Sequence, residues 1–127
     1  MRIYSAAFLI ALSLGFGVAS CAKAPPNLTP QAVIAFHSTQ VIKALDVVME
    51  TAHAAHGTTP PLISAQTDLK IIAWHQQAIV IARDAPSGWR QLVTDGLVTL
   101  KANLSPQDWQ VIAPYVALAQ TLLKEIN

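Results

Sequence analysis

The sequence predicts an all-α domain: a small four-helix bundle preceded by a signal or anchor helix. Three observations carry that expectation. Apolar residues recur at three- and four-residue spacing in four successive segments. Short runs containing proline, glycine or both separate those segments. No stretch alternates apolar and polar residues over strand length, and no Asn-Gly hairpin turn is present. At 127 residues the chain has the length of one domain, not two.

The first segment, residues 1–20, reads as a secretory signal. Arg2 is its only charge, and the apolar run from Phe8 to Val18 has the length of a signal core. The uncharged span from Ile3 to Ala22 also reaches the roughly 20 residues a membrane-spanning helix needs, so a retained anchor is the alternative. The end of this stretch, Val18-Ala19-Ser20-Cys21, resembles a bacterial lipobox, the recognition site of lipoprotein signal peptidase. That resemblance implies that Cys21 is lipidated on sulfur and becomes the first residue of the mature protein. It further implies a periplasm-facing, lipid-anchored envelope protein. Ala22 after the cysteine favours the outer membrane over the inner one, with ordinary secretion as the alternative. Cys21 is the sole cysteine, so no internal disulfide exists for it to join.

Residues 21–28 form a tether. Pro25-Pro26 favours polyproline II, and at about 3.1 Å per residue the tether spans roughly 20 Å. Helix 1 then opens at Thr29-Pro30, with threonine as cap, proline at the first helical position and Leu28 placed to staple onto Val33. Its apolar positions include Val33, Ile34, Val41, Leu45, Val48 and Ala52, opposite a polar stripe of Thr39, Lys43, Asp46, Glu50 and His53. It ends near Ala55, before Gly57-Thr58-Thr59-Pro60-Pro61.

Ser64 caps helix 2, which runs to about Arg83 and is apolar on two sides. Leu69, Ile72, Ala73, Ile79 and Val80 lie on one, and Ile71, Trp74, Ala78 and Ile81 on the other. Such a helix is expected to be central, or to present one side to a partner. The side offered as an interaction face is Ile71, Trp74, Ala78 and Ile81. Helix 3, about Gly88 to Ala102, has Trp89, Leu92, Val93, Leu97 and Leu100 on one face, with Gly96 among them implying close approach of a neighbour. Asn103-Leu104-Ser105-Pro106-Gln107 repeats the opening chemistry of Asn27-Leu28-Thr29-Pro30-Gln31 and starts helix 4. Pro114 predicts a kink, or a split near Ala113. The domains are thus residues 1–20 as signal peptide, 21–28 as tether and 29–127 as helical domain.

Composition narrows the function classes. Charged residues are 12% of the chain, against roughly 25% in a typical domain. Eight Lys and Arg, one of them Arg2, face seven Asp and Glu, so the chain beyond the signal is close to neutral. No basic cluster marks a nucleic-acid surface. There is no Gly-x-Ser-x-Gly elbow, phosphate-cradling glycine motif, Cys-x-x-Cys-His or His-Glu-x-x-His. No catalytic residue and no cofactor are assigned, and the chain is not expected to be an enzyme.

One constellation offers metal chemistry: Glu50, His53 and His56, spaced by three along helix 1. A di-iron bundle needs further glutamates, and beyond the signal only Glu125 remains. His37 and His75 read as core or boundary histidines, and Trp74, Trp89 and Trp109 as packing residues. The expectation is a lipid-anchored helical protein acting as a structural or protein-interaction module. Its partners would be the membrane through the anchor, and a protein partner or a second copy. The alternative is a metal- or haem-binding helical protein.

Overall fold

The computed structural model describes residues 24–125, so Cys21, its lipobox and the signal segment lie outside the described residues. The described chain is four α-helices: α1 (Pro30–His56), α2 (Ala65–Asp84), α3 (Trp89–Ala102) and α4 (Pro106–Glu125). It is the all-α four-helix bundle that the periodicity predicts, with no strand among the described residues.

The helix starts are local chemistry. Thr29 Oγ1 accepts from Ala32 N at 3.1 Å, Ser64 Oγ from Thr67 N at 3.1 Å, and Ser105 Oγ from Asp108 N at 3.1 Å. Each satisfies an amide that the helix cannot pair internally. Between α2 and α3 the chain reverses at Ala85–Gly88, with Ala85 (φ 44°) and Gly88 (φ 74°) both left-handed. Gly88 meets nothing within 4 Å of an added Cβ, so its conformation, not crowding, is what favours glycine there.

The longest helix, α1, is the spine. It packs against α2 on one side and α4 on the other, while α3 closes the bundle against α2 and, more lightly, α4. Val41, Leu45, Val48 and Ala52 are fully buried on α1 and meet Ile71, Val93, Leu97, Ile112, Val116 and Leu122 in one core cluster. By length and composition α1 could cross a membrane, which is compatible with membrane or envelope association, but the core helix of a bundle has the same properties. Here its buried stripe is matched by the apolar faces of its neighbours.

Three sequence expectations change. The centre of the fold is α1, not α2, because α2 leaves Leu69 (65% exposed) and Val80 (44% exposed) uncovered. α4 is not split: it runs unbroken through Pro114. Pro114 and Gln110, whose carbonyl loses its donor to the proline ring, are both exposed, so the gap in the helix ladder falls on the solvent side. Gly96 is not forced by crowding either. An added Cβ would sit 3.7 Å from Trp74 Nε1 and 3.8 Å from its Cδ1, which are ordinary contacts.

Gly96→Ala is therefore expected to stabilise the bundle by about 0.5–1 kcal/mol, since the methyl fits and the unfolded chain loses freedom. Urea unfolding followed by circular dichroism measures this. A destabilised variant would mean that α3 lies closer to Trp74 than described.

Candidate functional site

The two ends of the bundle carry different chemistry. At the end formed by the α1 C-terminus and the α2 and α4 N-termini, acids and histidines act as ties. His53 Nδ1 lies 3.2 Å from Asp68 Oδ2, and His56 Nδ1 donates to the Ile63 carbonyl at 3.0 Å. Thr67 Oγ1 donates to Asp108 Oδ2, joining α2 to α4. Midway along the bundle, His75 Nε2 donates to Asp46 Oδ1 at 2.7 Å and joins α2 to α1.

This arrangement corrects the metal reading. Glu50, His53 and His56 do not converge: His53 turns to Asp68, His56 to the loop carbonyl, and Glu50 is exposed. No group of three or more His, Cys, Asp or Glu among the described residues is disposed to hold a metal ion. The reason is geometric. Each three-residue step on a helix falls about 60° short of a full turn, so Glu50 and His56 end about 120° apart.

The interaction face is corrected as well. Ile71, Trp74 and Ala78 are buried in the core, and Ile81 is partly buried against it. The outward apolar side of α2 is instead Leu69, Ala73 and Val80, with Ile72 and Ile79 half-buried beside them. The inward side is also marked by polar residues, among them Thr67, bonded to α4, and His75, bonded to α1. Their positions at four-residue spacing from Ile71 were the available clue.

Of the tryptophans, Trp74 is buried with Nε1 unpaired, and Trp109 is half-buried with Lys101 Nζ 5.8 Å from its ring centroid. Trp89 stands at the other end of the bundle. There it borders a half-open cleft of about 810 Å³, which sequence reasoning missed. Three distant segments build it: the first turns of α1 with Val33, Ile34 and His37, the 85–91 turn with Trp89 and Arg90, and the end of α4 with Leu123 and Lys124. Among the described residues no acid lines it. Of its residues, His37 stood out in sequence as a core or boundary histidine and Trp89 as a packing residue. Arg90 and Lys124 carried no local signal, because the three meet only when α1, α3 and α4 are packed.

His37 is only 8% exposed, and its imidazole has no hydrogen-bond partner among the described residues. Burial, reinforced by the positive charge of Arg90, holds its pKa below the usual imidazole value. The folded protein therefore takes up this proton less readily than the unfolded chain. The stabilising contribution is complete above the ordinary imidazole range and is lost as pH falls through it.

No protein-family model, curated protein or solved structure matches this chain.

Urea unfolding at pH 7.5 and pH 5.5 should show wild type losing more stability on acidification than His37→Gln, in which the titrating group is gone. Parallel losses in the two proteins would remove His37 as the source.

Proposed function

We propose that this chain is a lipid-anchored protein of the cell envelope whose bundle is a binding module, structural or interacting in role, and not an enzyme. The attachment half rests on Val18-Ala19-Ser20-Cys21 behind an apolar run, leading through Pro25-Pro26 into the cap of α1. Two or more acyl chains on one residue suffice for stable anchoring, at about 0.8 kcal/mol per buried methylene. The periplasmic face, and the outer membrane within the envelope, follow from the same segment.

The single observation that carries the binding half is the basic, partly apolar cleft at the bundle end where the tether joins α1. The other histidines are engaged in structural bonds: His53 with Asp68, His56 with the Ile63 carbonyl and His75 with Asp46. The outward stripe of α2 adds an apolar surface of the kind that protein contacts use.

Expression of the full chain and of Cys21→Ser in a bacterial host tests the attachment. Wild type is expected in the membrane fraction with an acylated Cys21 as its first residue by mass spectrometry. Cys21→Ser is expected to carry no lipid. An unmodified thiol at Cys21 in the wild-type protein would contradict the anchor.

A further inference from the structure

The cleft at the tether end gathers groups that favour a negative charge. Arg90 and Lys124 both border it, and neither has a carboxylate within 4.0 Å among the described residues. The nearest acid in sequence, Asp84, pairs with Arg83 at 3.2 Å and does not line the cleft. The N-terminus of α3 opens into the same space. Gly88 gives it no side-chain cap, and its first turn holds no acid. The Trp89 and Leu92 amides bond the Pro86 and Gly88 carbonyls, which leaves those of Arg90 and Gln91 as first-turn donors among the described residues.

An independent observation comes from His37. It belongs to a different helix, is more than nine-tenths buried, borders the cleft and has no hydrogen-bond partner among the described residues. Its ring nitrogens keep access to solvent, so an acceptor lodged in the cleft would take the place of water at one of them. The rest of the lining mixes apolar side chains, chiefly Val33, Ile34, Trp89 and Leu123, with the neutral polar Ser87, Gln91, Thr94 and Gln120. A small inorganic anion would leave the apolar side chains uncovered. A ligand with an anionic head and an apolar body would use both parts.

The geometry points to this cleft as a binding site for the phosphate-bearing headgroup and upper acyl chain of an anionic membrane lipid. The lipid source is argued from the chain itself, and this part rests on the anchored reading above. Val33 and Ile34 lie in the first turns of α1, directly after the tether. The tether is not extended throughout: it turns at Pro26-Asn27, where Asn27 is left-handed (φ 70°), so Cys21 lies within roughly 25 Å of Thr29, the limit at about 3.1 Å per residue. A domain anchored at Cys21 thus carries this end within reach of the headgroups.

The test uses the full chain in a non-ionic detergent, titrated calorimetrically with three probes: dihexanoyl phosphatidylglycerol, dihexanoyl phosphatidylcholine and inorganic phosphate. Saturable binding is expected for phosphatidylglycerol, at least tenfold tighter than for either other probe. Arg90→Gln and His37→Gln should each weaken it roughly tenfold, the scale of one charge-assisted or buried hydrogen bond. Lys124→Gln, at an exposed position that leaves the core untouched, should weaken it several-fold. Lys43→Gln, outside the cleft on α1, should leave it unchanged. Equal affinity for phosphatidylcholine, or binding indifferent to Lys124→Gln and Arg90→Gln, would overturn the site. Inorganic phosphate binding as tightly as phosphatidylglycerol would overturn the lipid as ligand. The mass of the N-terminus separates this test from that of the anchor. An unmodified Cys21 with retained phosphatidylglycerol binding defeats the anchor and supports the cleft. An acylated Cys21 with no binding defeats the cleft alone.

Discussion

Everything in this bundle is arranged around one buried stripe on α1. Val41, Leu45, Val48 and Ala52 are inaccessible to solvent and sit between α2 and α4. Fully burying a side chain such as Leu45 contributes about 1.5–3 kcal/mol, which makes this stripe a large contribution in a domain with few charges. It also sets the shape. At about 1.5 Å per residue, α1 is roughly 40 Å long, whereas the 14 residues of α3 reach roughly 21 Å. The shorter helices do not cover the whole of α1. Its first turns are left with Ile34 exposed and Val33 half-exposed, and there the cleft forms.

The helix termini show where local rules hold and where they do not. Three starts are capped by Thr29, Ser64 and Ser105, and two of them carry an acid in the first turn, Asp68 and Asp108. These suit the positive end of a helix. At its own start α3 instead has a left-handed glycine and Arg90, a cation where the helix dipole disfavours one. Local rules are most often broken where a site needs it. The two cations bordering the cleft, Arg90 and Lys124, have the same sense.

What the sequence conveyed depended on how local the determinant was. Helix boundaries were legible because a cap, a proline and a periodic apolar run lie within a few residues of one another: Thr29-Pro30, Ser64 and Ser105-Pro106 all start helices as expected. The choice between the two apolar sides of α2 was not, because a helical wheel does not say which side a neighbour covers. That choice is made by partners on other helices, Asp46 for His75 and Asp108 for Thr67, 29 and 41 residues away. The Glu50, His53 and His56 edge looked continuous in sequence and fans out on the helix. The cleft was invisible for the strongest reason: its three walls come from residues 33–37, 85–94 and 120–124, brought together only by the packed bundle.

If α1 is the spine, its centre should be the last part of the protein to open. Native-state hydrogen exchange on the full chain, resolved residue by residue, measures this directly. The amides from Val41 to Ala52 are expected to exchange only through global unfolding, with opening free energies equal to the stability from urea unfolding. Those of α3, packed on one side and lightly joined to α4, should open at lower cost. Protection concentrated in α2 or α3, with α1 exchanging through local opening, would contradict the account.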